Sequence, residues 1–283
     1  VSSPKPALFV VGTPIGNLED VSLRAIRILR EADAIACEDT RKTRILLDRH
    51  GISGARLISY HKFNEAKRAA QLLGLLREGK SVALVSNAGT PSICDPGARL
   101  VQAAVENDVR VEVIPGPSAI TAALSISCLP KEEFLFCGFI PSRSTARKKK
   151  FVVLRNEPRT MVFFETANRL AKSLTDMLGV FGERKIEIAR ELTKIHEEII
   201  RTSLSEAVTA FQEKPVKGEI VLIVEGASEK PPAPPESVEE RVQSLAEQLG
   251  ISTSEAVKLV AAEKGIRKQD VYRELLKGTE PDA

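Results

Sequence analysis

The chain has no tryptophan, two tyrosines and only 4% aromatic residues. So few rings make base stacking on many aromatic platforms an unsuitable basis for nucleic-acid contact. Its three histidines, His50, His61 and His196, lack metal-ligand spacing, and none of Cys37, Cys94, Cys128 and Cys137 forms a C-x-x-C pair. A catalytic zinc is therefore not expected. The cysteines read as reduced fillers of the core or its margin. An excess of one charge is also missing, with 41 Lys+Arg against 38 Asp+Glu and a formal net charge of +3. Global charge does not announce a nucleic-acid binder, although a local patch can still act as one. No stretch reaches the ~18–20 apolar residues of a membrane span, and VSSPKPALFVV has no charged-then-apolar order. The expectation is a cytoplasmic protein without a membrane partner. Two nucleotide signatures are absent as well. Without G-x-x-x-x-G-K-[ST] there is no P-loop, and without G-x-G-x-x-G a dinucleotide site is disfavoured.

What is present is a length of 283 residues with 43% hydrophobic residues, enough for two cored domains. Over residues 1–129, short apolar runs alternate with helix-period segments. ALFVV (7–11), AIAC (34–37), RLIS (56–59), SVALVS (81–86) and VRVEVIP (109–115) read as strands. Amphipathic stretches between them, such as 20–32, 40–51 and 64–79, read as helices. This alternation predicts a mostly parallel sheet covered on both faces. Residues 130–229 predict a second α/β domain, with strands at EFLFCGF, RTMVFFE (159–165), RKIEIAREL (184–192) and GEIVLIVEG (218–226). Residues 230–237 are a Pro-rich linker, and 238–283 a small three-helix module.

Two of the strands run into loops of small and turn residues, Gly12-Thr13-Pro14-Ile15-Gly16 and Asn87-Ala88-Gly89-Thr90-Pro91. Loops at the carboxyl ends of strands are where open α/β sheets bind ligands. Small residues let backbone N–H and C=O groups approach a ligand, and proline fixes the loop shape. Such loops suit a polar, uncharged or zwitterionic small molecule. The bland alternative, an ordinary βα turn, stays open for each loop alone.

The series VGTPIGNLEDVSLRA, EDTRKT, SYHKFNE, SNAGTPSICDPG, PGPSAITAAL, FCGFIP, FFETANR, RELTKIHEE and KGEIVLIVEG resembles the tetrapyrrole methylase family, and within it the branch that methylates small-subunit ribosomal RNA. The resemblance implies an α/β fold of two domains with S-adenosylmethionine in the cleft between them, and a homodimer. It also implies methyl transfer to the ribose 2′-oxygen of a cytidine in the decoding centre of 16S rRNA, within the 30S subunit. By the same resemblance, cofactor contacts come from Pro14, Ile15, Asn87, Ala88, Gly89, Thr90, Ile93, Ser118 and Ala119. The second domain adds Phe164, Arg190, Glu191, Leu192, Glu219 and Ile220. Plain core packing is the alternative for Phe164, Leu192 and Ile220, and a helix cap for Ser118. One departure stands out: family members commonly read Ser-Asp-Ala-Gly-Thr-Pro, where this chain has Asn87. Asn keeps an acceptor oxygen, loses the charge and gains donors.

For the chemistry, a weakly acidic hydroxyl needs a base or nearby positive charge. Asp39 or Glu197 is the expected proton acceptor, with Lys194 facing the developing alkoxide. The alternative is that these residues form ion pairs that shape the loops. RNA contacts are expected from Arg41 and Lys42, from Arg143, Arg147, Lys148 and Lys149 in SRSTARKKK, and from Arg267 and Lys268 near the C-terminus. Solvated helix faces are the alternative. Two further functions fit less of the chain: methylation of a tetrapyrrole, or a non-catalytic RNA-binding assembly factor.

Overall fold

Strands that are apolar along their whole length can only be buried on both faces, and the first sheet shows this directly. The computed structural model describes residues 6–213, 216–228 and 237–277. It divides into two units, 1–125 with 191–197, and 126–190 with 198–283. In the first unit the order is β1 (Leu8–Val11), α1 (Leu23–Glu31), β2 (Ala34–Cys37), α2 (Thr40–Arg49), β3 (Leu57–Ser59), α3 (Glu65–Arg77), β4 (Val82–Val85), α4 (Ala98–Val105), β5 (Val111–Ile114) and α5 (Ala119–Ser125). The sheet order is β3-β2-β4-β1-β5, and every pair is parallel. Side chains alternate between two cores. Phe9, Val11, Ile35, Cys37, Ala83 and Val85 pack with Ala25, Ile28 and Leu29 of α1. Leu8, Ala34, Ala36, Val82 and Leu84 pack with Leu72 of α3 and Leu100 of α4 on the other face. Burial pushes the Cys37 thiol above its ordinary pKa, as suits a core filler. Cys94 and Cys128, expected in or near the core, are exposed. Both lie in segments between the regular elements, outside the apolar runs that fill the cores.

The second unit has β6 (Phe134–Phe139), α6 (Ser144–Leu154), β7 (Thr160–Thr166), α7 (Leu170–Phe181), β8 (Lys185–Arg190), β9 (Glu198–Ser203), α8 (Leu204–Glu213), β10 (Glu219–Val224), α9 (Val238–Leu249), α10 (Thr253–Lys264) and α11 (Lys268–Lys277). Its sheet order is β6-β7-β10-β8-β9, with only β6 and β7 parallel. β9 is an edge strand with no counterpart in the sequence reading. It pairs with β8 from Lys185↔Ser203 to Arg190↔Glu198. The strand read over 184–192 stops at Arg190, because Glu191 and Thr193 take φ of 53° and 64°. The intervening residues 191–197 are counted with the first unit.

The C-terminal helices belong to the second unit's core. Val242, Leu245, Val257 and Val260 lie in one cluster with Phe151, Val152, Leu174 and Met177 of α6 and α7. Capping boxes start α9 at Ser237 with Glu240, and α10 at Ser252 with Glu255. Of the proline-rich stretch read as a linker, 230–236 lie outside the described residues.

Candidate functional site

β1 and β4 are neighbours, yet the chain leaves β1 toward β2 and β4 toward β5, in opposite directions along the sheet. Their connections lead to opposite faces of the sheet, to α1 on one and α4 on the other, which marks the crevice that α/β sheets use for ligands. Thr13 and Gly89 bridge these loops, with N–H···O bonds of 2.9 and 3.0 Å in the two directions. The Thr13 hydroxyl also lies 3.3 Å from the carbonyls of Ser86 and Gly89. A third loop, after β5, comes as close as backbone allows. A Cβ on Gly12 would stand 2.8 Å from the Gly116 Cα, so neither position tolerates a side chain. Gly16 backs onto 191–197, where a Cβ would meet the Leu192 carbonyl oxygen at 2.7 Å. Beside it, the Asn17 N–H donates to Thr193 Oγ1 at 3.0 Å.

Four backbone-rich segments therefore converge within the first unit. They carry Pro14 and Ile15, Asn87 to Thr90, Ser118 and Ala119, and Glu191 and Leu192. Ser118 is no side-chain cap: its carbonyl accepts from the Ala122 N–H at 2.9 Å, while its hydroxyl makes no hydrogen bond among the described residues. Ile93 is 48% exposed on the rim of the 86–97 loop, and Leu192 is buried.

An acidic cluster forms where the turn after β2 meets the 86–97 loop. Asn87 Nδ2 donates to Glu38 Oε2 at 2.6 Å, and Asn87 Oδ1 is buried without a partner. Burial, then the Glu38 charge, pushes the Asp95 carboxyl up to about 6, against a hydrogen bond from Ser86. An aspartate at 87 would set a carboxylate against Glu38, whereas the amide donates to it. Neither Glu38 nor Asp95 was singled out in the sequence, although EDTRKT and SICDPG contain them. Each touches residues far away along the chain, so no local signal marks them. Along the same face, Glu65 Oε1 accepts from Tyr60 Oη at 3.0 Å and from the Gly97 N–H at 3.2 Å.

Asp39 does not have the character of a general base. It is the N-cap of α2, accepting from the Arg41 N–H at 2.9 Å and from the Arg41 guanidinium at 3.1 and 2.8 Å. These bonds hold its pKa down to about 2, too low for an effective proton acceptor at neutral pH. Arg41, read as an RNA contact, is thereby paired with Asp39, while Lys42 is exposed. Lys194 Nζ lies 2.8 Å from Glu191 Oε1, and Glu197 Oε2 accepts from the Thr193 N–H at 2.6 Å. Lys194 and Glu197 thus fold the 191–197 segment on itself.

In the second unit, Phe164, Arg190, Glu219 and Ile220 sit at one end of three neighbouring strands. Ile220 lies opposite Arg190 on β8 and Glu165 on β7. Phe164 packs edge-to-face with Phe136 and Phe139, ring centroids 5.0 and 5.3 Å apart. Ile220 is core, 3% exposed. Arg190 bonds Glu198 Oε2 at 2.9 Å and the Lys217 carbonyl at 3.2 Å.

The basic run of α6 splits in two. Arg147 is not an RNA contact: its side chain is 5% exposed and lies 2.5 Å from Asp176 Oδ2. Its Nη1 also reaches the carbonyls of Pro141 and Ser142. Arg147 is four residues before Phe151, on the buried stripe of α6, and that spacing is the signal that marks it as internal. Arg143 and Lys149 are exposed, while Lys148 Nζ donates to the Leu249 carbonyl at 3.2 Å. Arg267 pairs with Asp270 at 3.1 Å, and Lys268 is exposed. Among the described residues no three His, Cys, Asp or Glu side chains form a metal-holding group, and no helix is long and apolar enough to cross a membrane.

The family described as Tetrapyrrole (Corrin/Porphyrin) Methylases matches residues 7–208. A Halalkalibacterium halodurans protein named Ribosomal RNA small subunit methyltransferase I is 44% identical over 274 residues, covering 95% of this chain and 94% of its own. The protein of that name from Mesorhizobium japonicum is 46% identical, covering 96% and 92%. Among solved structures, uroporphyrin-III C-methyl transferase from Thermus thermophilus complexed with S-adenyl homocysteine aligns at a TM-score of 0.57 and 19% identity. It covers 77% of this chain and 97% of that one, a likeness of fold. The profile match, the relatives spanning nearly the whole chain and the loops that meet beyond β1, β4 and β5 agree: the chain belongs to the ribosomal RNA small subunit methyltransferase I family, within the tetrapyrrole methylases.

Proposed function

We propose that this methyltransferase moves the methyl group of S-adenosylmethionine to the ribose 2′-oxygen of a cytidine in the 16S rRNA decoding centre, acting as a homodimer on the 30S subunit. The observation that carries the reading is the convergence of the 12–17, 86–97 and 115–119 loops at the switch point of a parallel sheet. The chemistry of these groups fits that cofactor. The buried, partnerless Oδ1 of Asn87 is an acceptor for an amine or hydroxyl donor, and Asp95 on the same loop, with Glu38 bonded to Asn87 from the turn after β2, provides negative charge as a counterpart to a cation. When bound, the cofactor supplies an activated methyl group on a positively charged sulfur.

The chain's own contribution is placement and proton handling. Pro14, Ile15 and Ala88 to Thr90 hold the small molecule through backbone groups on loops that the Thr13–Gly89 bridge keeps in register. Ser118 offers its hydroxyl, and Ala119 the start of α5. Phe164, Arg190 and Glu219 complete the cofactor contacts in this reading. Lys194 faces the developing alkoxide in this reading, its ammonium held 2.8 Å from Glu191 Oε1. Glu197 accepts the proton. Asp95 is a second candidate for that step, because a carboxyl near 6 is ionised at neutral pH yet more basic than an ordinary aspartate.

The test uses purified protein, labelled S-adenosylmethionine and 30S subunits lacking the modification. Nucleoside mass spectrometry is expected to find one ribose-methylated cytidine. A methyl group on a base, or no transfer to RNA, overturns the reading.

A further inference from the structure

The two basic segments noted in the sequence are far apart along the chain, yet they form one groove within the second unit. Its volume is about 760 Å³, and its walls are α6 on one side and α10 with the start of α11 on the other. Arg143, Lys148 and Lys149 come from the first wall, Lys258 and Lys268 from the second. Lys258 was not singled out in the sequence, where it stands among apolar residues. The helical repeat puts it on the same face of α10 as Glu255 and Ala262, facing the groove.

Five cations thus surround one acid, and that acid is already occupied. Glu255 Oε2 accepts from the Ser252 N–H at 3.2 Å and from Ser252 Oγ at 3.0 Å, as half of the α10 capping box. Lys148 bonds the carbonyl that ends α9 and ties α6 to the turn before α10. Arg143, Lys149, Lys258 and Lys268 make no ion pair among the described residues. Two buried basic side chains elsewhere in this unit are matched, Arg147 with Asp176 and Arg241 with Glu263, whereas exposed Lys172, Lys185 and Lys264 stand singly without an ion pair among the described residues. Like charges gathered without counter-charges repel one another, and a bound polyanion removes that cost. No aromatic residue lines the groove, so bases have nothing to stack on.

We propose that this groove binds the phosphate backbone of the RNA substrate, with Arg143, Lys149, Lys258 and Lys268 as the phosphate contacts. The inference rests on the rRNA substrate proposed above. It makes the C-terminal helices one wall of an RNA site rather than a separate packing module. Contacts of this kind position RNA without reading its sequence, and they weaken with salt.

The test is Lys149→Gln with Lys258→Gln in the full chain, one from each wall. The probe is a short labelled RNA hairpin, measured over a range of salt concentrations. Two lost phosphate contacts are expected to reduce the slope of log affinity against log salt by about 1.5, and to weaken binding about tenfold at low salt. S-adenosylmethionine affinity by calorimetry and the melting temperature should stay at the wild-type values. Lys258→Arg should restore most of the loss in Lys258→Gln. An unchanged slope and affinity overturn the proposal, and so does unchanged RNA binding with weakened binding of polyglutamate, which assigns the groove to an acidic protein. Methylation of 30S subunits separates this from the enzymatic reading. A wild-type protein that transfers no methyl to RNA, while the slope still falls in the variant, sinks the enzyme and keeps the groove.

Discussion

The β1/β4 loops of the first unit and the α6 region of the second handle polarity in opposite ways. Around Gly12, Gly16 and Gly116 the chain works with backbone groups and an absence of side chains, so volume is the sensitive quantity. Around α6 it works with long cations, Arg147 paired inward, Lys150 bonded to β6 carbonyls, and Arg143, Lys148 and Lys149 lining a groove, so charge is the sensitive quantity. The lesson is that equally conservative-looking changes should fail for different reasons in the two regions.

The largest effect is expected on the charged side. Asp176→Ala leaves the Arg147 guanidinium buried without its carboxylate and should cost about 3–5 kcal/mol in denaturant unfolding. Lys149→Ala, two positions along the same helix but exposed, should stay within about 0.5 kcal/mol of wild type. Equal losses would erase the division of α6 into inner and outer cations. On the loop side, Gly12→Ala drives a methyl group into the Gly116 backbone and should cost about 1–3 kcal/mol. Cofactor affinity should fall with it, since the loops can no longer keep their spacing. Wild-type calorimetry for this variant would show that the glycine contact is incidental.

A smaller, pH-dependent effect joins volume and charge. Asn87→Asp changes almost no volume but sets a second carboxylate against Glu38, so the Asp95 titration should move upward from about 6, by about a unit. NMR of the side-chain carboxyl carbons reads this directly, and an unmoved titration would separate Asn87 from the cluster. For stability, the sign follows from the raised value. Between the ordinary 3.8 and about 6 the folded state holds a proton that the unfolded state has released, so stability falls as pH rises through this window and is level above it. Asp95→Asn should lack that fall. Asp39 is the smallest case and has the opposite sign. Its depressed pKa means that its stabilising contribution is full above about 4 and is lost as pH falls toward 2. Asp39→Asn keeps an N-capping oxygen and should methylate at a rate within about twofold of wild type.

Much of the first unit was legible because a doubly covered parallel strand is apolar throughout: LFVV, AIAC and VALV leave no other reading. β9 was not, because EIIRTS is an edge strand, only partly buried and half polar. The loop positions Gly12, Gly16 and Gly89 were visible as small residues at strand ends. The pairing of Asn87 with Glu38 was not, because 49 positions separate them and neither carries a local pattern. Arg147 looked like its neighbours in a linear run of charge, and only its place one turn before Phe151 distinguishes it.

The assignment of residues 191–197 has a practical bearing on any attempt to dissect the molecule. A fragment ending at Ser125 would contain all five parallel strands but not the segment that buttresses Gly16 and accepts the Asn17 N–H. The first unit is therefore discontinuous along the gene product, and no single cut isolates it. A faithful minimal version would need Glu191–Glu197 grafted back, or the two units kept together.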